Sequence, residues 1–480
     1  MVSPTVVDFG GDPDRSDRND AAKVAAQADR SFSGQHRMAF RLAGRYAGRL
    51  LFVPDVGWHR WDSRRWATDG DRAAERAVDV VLGAAVRDGA GDAALRADVR
   101  KCESATGRKG VLDIAGSLLD LVCAADKLDA DPHLLNARNG TLDLRTMEMH
   151  PHNPQDRITK VCAAAYDPDT ESPTGRWERF LTEVLPDAEV RGFLARLIGL
   201  SLLGAVRENV LPIWTGLGAN GKGAAYNAIL HALGDYACPA DPDLFMARDG
   251  AHPTGTMDLR GRRFVVVSES DKHKRMNEAT MKRLTGGDPI KSRFMGKNFV
   301  TFTPSHLAVL VTNHLPKVAG DDAAVWRRLR VVPFDVVIPK PEQDSHLPDA
   351  LQADTDAVLG WAVRGWQSYV SHGHQLAEPA SVMAATDKYR VDSDAVARFI
   401  GERCYVNGNV RMPGAELFAA WEAWARADGA EPMAAKAFGQ ALERHGLPPS
   451  AVSHGVRYRP GVELRTDDDD PDTSSSRYGQ

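Results

Sequence analysis

The sequence predicts an α/β protein: a buried sheet fed by a phosphate-binding loop, with an α+β domain before it and a small winged-helix unit after it. Three observations carry this. Residues Gly216-Leu-Gly-Ala-Asn-Gly-Lys-Gly223 follow the apolar run Val210–Trp214 and precede a helical stretch, Ala224–Leu233. That is the strand, glycine loop and helix of a phosphate cradle. From 210 to about 338, short Val- and Leu-rich runs alternate with helical stretches, as in a sheet covered on both faces. Between 394 and 464, three helical stretches run into two short β segments.

At 480 residues the chain holds about three domains. An apolar content of 43% is enough to fill their cores. A net charge of −5 excludes a uniformly basic nucleic-acid coat, so any such contact must be local. Five scattered cysteines without a Cys-x-x-Cys pair argue against a zinc ribbon or disulfide framework and fit a reducing cytoplasm. No early apolar stretch has the length of a signal peptide or membrane span.

In chain order, residues 1–34 are polar and read as a disordered tail, as do 465–480 with their Asp467–Asp470 run. Residues 35–205 form an α+β and helical domain. Leu50–Val53 reads as a strand, Gly57–Trp61 with Arg65-Trp66 as a hairpin, and Asp71–Arg87 as a helix. Leu134–Leu144 is a turn between short strands. Trp177–Leu203 is helical by apolar spacing, broken at Pro186. The core spans 206–338, with strands at Val210–Trp214, Phe264–Val267, Leu307–Val311 and Leu329–Phe334. A helical extension, 339–393, leads to the winged unit, 394–464. Its helices are Ala395–Cys404, Pro413–Asp428 and Ala434–His445.

The chemistry sits at strand ends. In the loop, Gly216, Gly218 and Gly221 permit tight turns, so that N–H groups from Gly216 through Ala219, Asn220 and Gly223 face phosphate oxygens. Lys222 adds a movable charge, and the helix dipole points the same way. Position 223 is Gly where such loops need a Ser or Thr hydroxyl for Mg²⁺. Phe264-Val-Val-Val-Ser-Glu269 is a buried strand ending in a carboxylate, which suits polarising water or holding Mg²⁺; the alternative is a surface glutamate. Leu307–Asn313 ends in an amide that can sense a γ-phosphate or merely cap the next turn. In Val325-Trp-Arg-Arg-Leu-Arg330, Arg328, and after it Arg327, can reach a neighbouring subunit's nucleotide or serve structural ion pairs. Lys291, Arg293 and Lys297 lie on an expected hairpin with Phe294 among them, which suits a single-stranded nucleic-acid backbone or a solvated hairpin. In the winged unit, Arg444, Arg457 and Arg459 hint at DNA, though such units also dock proteins.

Taken together, these segments resemble the superfamily 3 helicases of the AAA+ class. They are similar to the branch of phage and plasmid primase-helicases related to the poxvirus primase-helicase. The resemblance rests on Leu135–Leu144, Gly218–Lys222, Val266–Glu269, Lys282-Arg-Leu-Thr-Gly-Gly-Asp288, Thr312–Pro316 and Trp326–Arg330, in order, and covers about 36 to 460. It implies an AAA+ ATPase core working with ATP and Mg²⁺. It further implies a hexameric ring that threads single-stranded DNA in a phage, prophage or mobile element within a bacterial cytoplasm. Lys222 would bind phosphate, Glu269 supply the second acidic motif, Asn313 sense, and Arg328 act in trans. The 291–297 hairpin would line the channel. Origin duplex DNA and a separate primase or replisome protein are the further partners implied, with no membrane. The only early paired acids, Asp12 and Asp14, lack strand context, so helicase without priming is expected. Two alternatives stand: an origin-binding initiator using ATP for assembly, and a nucleotide-binding protein with weak hydrolysis.

Overall fold

The computed structural model describes residues 27, 31–168, 175–247, 253–268, 274–293, 299–318, 322–430 and 433–465. Glu269, Phe294, Lys297, Asp12 and Asp14 lie outside the described residues, as do nearly all of the two expected tails.

Helices Gly34–Tyr46, Ala73–Asp88, Ala93–Cys102 and Ala105–Ala115 pack around Met38, Leu42, Val78, Leu95, Val99 and Val111. Two of them start at side-chain caps: Asp92 accepts from the Leu95 amide and Ser104 from the Gly107 amide. Strands β1 (Leu50–Val53), β2 (Gly57–Trp61) and β3 (Trp66–Thr68) form an antiparallel meander beside them. A second meander follows: β4 (Leu134–Ala137), β5 (Gly140–Asp143) and β6 (Glu148–His150). Its Asn136 is fully buried and stitches three segments together. The amide nitrogen donates to the Arg64 and Lys160 carbonyls, and the amide oxygen accepts from the His152 ring. The Leu135–Leu144 motif is therefore a structural joint, because a buried amide must find partners for both of its ends.

The core is a five-stranded parallel sheet in the order β13-β7-β12-β9-β8. Its members are β7 (Leu211–Thr215), β8 (Ala237–Ala240), β9 (Phe264–Ser268), β12 (Leu307–Thr312) and β13 (Leu329–Pro333). All six residues of β12 are buried, as expected of a central strand covered on both sides. Neighbours alternate between two cores. Trp214, Val266 and Val309 face one, while Ile213, Val265 and Leu310 face the other. The first core is closed by helices Lys222–Leu233, Ala188–Ser201 and Thr355–Ser371. The last two cross so tightly that a Cβ on Gly199 would strike the Trp366 amide, and one on Gly365 the Ala195 carbonyl. The extension after the sheet comprises Leu347–Ala353, Thr355–Ser371 and Ala380–Ser393.

Between β9 and β12 lies the antiparallel hairpin β10 (Ile290–Ser292) and β11 (Val300–Phe302). The C-terminal unit runs helix Ala395–Arg403, β14 (Cys404–Pro413), helices Gly414–Asp428 and Ala435–Arg444, β15 (Ala451–Ser453), β16 (Val456–Leu464). Its sheet order is β14-β16-β15, over an aromatic core of Phe399, Trp421 and Phe438. The sequence did not predict β14. It carries Asn407-Gly-Asn409, and a register shift between Val406 and Arg411 interrupts its pairing. Arg459, read from sequence as a DNA contact, is 2% exposed and donates to the Glu443 carboxylate and the Gly439 carbonyl. It holds β16 to helix Ala435–Arg444, whereas Arg457 is exposed.

Candidate functional site

The glycine loop leaves β7 at Thr215 and enters helix Lys222–Leu233. Its path is one that side chains would obstruct. Gly216 has φ +151°, and a Cβ there would meet the Phe334 carbonyl. Gly221 has φ +81°, with Val184 and Phe180 packed where a Cβ would stand. Ala219 takes φ +59°, and its carbonyl accepts the Ile338 amide at 2.8 Å. Asn220 is 3% exposed and donates to the Phe334 carbonyl at 3.0 Å. The loop is thus pinned to the end of β13 before any ligand arrives, which lowers the ordering cost of binding. Among the described residues, nothing lies within 4 Å of a Cβ added at Gly218 or Gly223.

Lys222 is 5% exposed, and its ammonium donates to the Gly216 carbonyl at 2.8 Å and to the Asn313 amide oxygen at 3.2 Å. Burial holds its pKa below the ordinary lysine value. Asn313 arrives from the end of β12, which pairs with β7 through Thr312 opposite Thr215. Its neighbour Thr312 makes the turn: the hydroxyl accepts from the His314 amide and donates to the His314 carbonyl. That leaves the Asn313 side chain for Lys222. On the other side of β12, β9 ends at Ser268 opposite Val311. Among the described residues, no three His, Cys, Asp or Glu side chains gather to hold a metal.

The arginines lie elsewhere. Leu329 pairs with Leu211, at the start of β7, while the loop begins beyond Thr215. Arg327 and Arg328 are therefore about 13 Å down the strand from their own loop. Arg328 is 9% exposed, and its guanidinium donates to the Ala324 carbonyl at 2.6 Å. Arg327 is exposed and borders a cavity of about 570 Å³ with Arg207, Glu208, Arg330 and Glu378. Sequence spacing ranks Arg328 first; burial sets the surface residue as Arg327. The helix that presents them, Ala323–Trp326, is capped by Asp322, whose carboxylate also takes the Lys282 ammonium at 2.6 Å. That hydrogen bond is the main reason the Asp322 pKa is held below its ordinary value. Lys282 thus has a positioning role that its motif alone did not disclose.

Lys291 and Arg293 stand on one exposed face of the hairpin, over the Phe299 ring at 5.1 and 4.6 Å. Phe299 was missed from sequence. Counting back across the strand pair from Ile290 opposite Phe302 would have placed it beside Arg293.

Comparison with known proteins follows the same divisions. Residues 39–186 match the D5 N terminal like family, 214–328 a family of unknown function (DUF5906), and 391–447 the Poxvirus D5 protein-like family. A "putative helicase" of Acanthamoeba polyphaga mimivirus is 27% identical over 298 residues, 57% of this chain and 31% of that protein. A "putative helicase" of Invertebrate iridescent virus 6 is 24% identical over 63% of this chain and 35% of its own length. A "putative primase" of African swine fever virus is 24% identical over 64% and 34%. The chain spans about a third of the length of these curated relatives. The apo C-terminal region of NrS-1 superimposes with a TM-score of 0.49 at 10% identity, over 86% of this chain and 95% of that one. The three curated relatives come from large DNA viruses, and the bacterial setting expected from sequence has no counterpart among them. No described helix is long and apolar enough to cross a membrane. The chain thus carries a D5 N terminal like segment before its parallel-sheet core and a Poxvirus D5 protein-like segment after it, and the viral proteins it is similar to are named putative helicases and primases.

Proposed function

We propose that the protein is an ATP-driven DNA helicase or translocase of a viral or mobile replicon, working as a ring-shaped oligomer on single-stranded DNA. The observation that carries this is the meeting of Lys222 and Asn313 at the carboxyl edge of the parallel sheet, beside the pinned glycine loop. The first amides of helix Lys222–Leu233 and the Lys222 ammonium bind phosphate oxygens. Lys222 then exchanges the Gly216 carbonyl for a phosphate. Asn313 orients the terminal phosphate and the attacking water. Glu269, the carboxylate that follows Ser268 in the sequence, is the group proposed to polarise water and help to hold Mg²⁺. Because Arg327 and Arg328 cannot reach their own loop, they serve a neighbouring copy's nucleotide. Arg327 is the one already at the surface.

Two observations favour the alternatives. The helix–strand–helix–helix–strand–strand order of residues 395–464 is compatible with a winged helix, which would suit an origin-binding initiator. Gly223 supplies no hydroxyl for Mg²⁺, which suits weak hydrolysis. ATPase rate with and without single-stranded DNA, alongside strand displacement, tests the proposal. DNA-stimulated turnover with unwinding supports it. Turnover without unwinding, coupled to sequence-specific duplex binding, supports the initiator. No turnover supports the third.

A further inference from the structure

The β10–β11 hairpin has two unlike faces. Ile290, Ser292 and Phe302 are buried, and the Ser292 hydroxyl accepts from Thr256 at 2.9 Å. Lys291, Arg293, Phe299 and Thr301 are exposed. Alternation across a paired ladder requires this split, since the inner face is anchored in the second core. The outer face therefore has a fixed shape. Phe299 is 49% exposed, with two cations over its ring. An exposed aromatic usually carries an apolar cost that burial would relieve. Here it is held between mobile charges that suit phosphates.

We propose that Phe299 is a base-stacking residue. Single-stranded nucleic acid lies along the outer hairpin face, its phosphates draw Lys291 and Arg293 off the ring, and one base takes their place. This rests on the hairpin being a strand-binding element and adds the group that reads bases rather than phosphates. Every base has a π-face, so the contact is independent of sequence, as a translocating protein needs. The hairpin's return strand runs into the amino-terminal end of β12, opposite the phosphate loop, so the contact is separable from nucleotide binding.

The test uses the full chain, with a fluorescent oligo-dT and an abasic oligomer of equal length. Wild type binds oligo-dT more tightly than the abasic strand. Phe299→Ala and Phe299→Leu weaken oligo-dT binding about 5- to 150-fold, the equivalent of one lost stack. Abasic binding and the salt slope are unchanged, and Phe299→Trp restores the preference. Unchanged oligo-dT binding in Phe299→Ala overturns the proposal, as does equal weakening on both strands, which indicates a merely structural ring. The Lys291→Ala/Arg293→Ala double variant tests the underlying reading separately. It flattens the salt slope by about 1.4 if both lysine and arginine meet phosphates. An unchanged slope and affinity in that variant overturns the hairpin assignment itself.

Discussion

The Lys222 ammonium lies 3.2 Å from the Asn313 amide oxygen, joining the glycine loop to the end of the next strand of the sheet. Lys222 spends two of its three N–H donors on Gly216 and Asn313, so one remains for a phosphate oxygen while the Asn313 amide N–H groups stay outside this pairing. Lys222→Ala is expected to lose nucleotide binding and turnover together. Asn313→Ala is expected to keep binding while kcat falls about 10²-fold, the scale of one lost transition-state donor. Direct nucleotide binding and steady-state ATPase measurements separate the two. Equal loss of binding in both variants would remove Asn313 from the sensing role.

Burial lowers the Lys222 pKa from its ordinary 10.5. If Lys222 binds phosphate, it does so in its charged form, so affinity falls as pH rises through the lowered pKa. The fall begins earlier than for an exposed lysine. Stability of the free protein moves the other way in this window: the unfolded chain keeps its proton longer, so this group's contribution to stability rises with pH. Binding isotherms between neutral and alkaline pH, with thermal melts of the free protein, read the two signs. Affinity that holds flat beyond the ordinary lysine range contradicts the assignment.

Gly365 and Gly401 both sit within helices but differ in what surrounds them. A Cβ at Gly365 meets the Ala195 carbonyl, while at Gly401 it meets open space. Gly365→Ala is expected to destabilise by about 1–3 kcal/mol through overpacking. Gly401→Ala should be neutral or stabilising by up to about 1 kcal/mol from helix propensity. Denaturant unfolding measures both, and equal midpoints for the two would mean that the helix crossing is looser than its geometry.

Gly223 is exposed, with no atom of the described residues within 4 Å of an added Cβ. Gly223→Ser therefore fits, and it places a hydroxyl one residue after Lys222. If metal is held weakly for want of that group, the variant reaches half-maximal ATPase at a lower Mg²⁺ concentration. An unchanged Mg²⁺ requirement indicates that the native loop already has another solution.

The sheet was legible because each strand's burial is written locally. Phe264–Val267 and Leu307–Val311 are continuous apolar runs, and the structure extends each by a single residue. Strand β8 was not legible: Ala237-Cys-Pro-Ala240 carries a proline, and the edge of the sheet tolerates it. Strand β14 depends on pairing with a partner some fifty residues later, which no local pattern records. The positions of the glycine loop and of Asn313 after β7 and β12 were legible because strand ends are easily placed. The ranking of Arg327 against Arg328 was not, because which of two adjacent arginines is buried depends on how the short Ala323–Trp326 helix packs. Arg459 failed for the same reason: a charge at a wing reads as solvent-facing until Glu443 and Gly439 are brought to it.

The arginine pair gives the sharpest test of assembly. Arg328 is buried and tied to the Ala324 carbonyl, so Arg328→Ala leaves a gap under β13 and should lower thermal stability as well as activity. Arg327 is exposed, so Arg327→Ala should melt as wild type does. If Arg327 stabilises charge on a neighbour's nucleotide, its loss keeps ATP binding and lowers turnover about 10³-fold or more. Mixing Arg327→Ala with Lys222→Ala subunits then restores part of the activity, because one kind of mixed interface joins an intact loop to an intact arginine. Failure of the mixture to recover, with Arg328→Ala alone losing turnover at wild-type stability, would return the role to Arg328. Full activity from a strictly monomeric protein would remove both residues from catalysis.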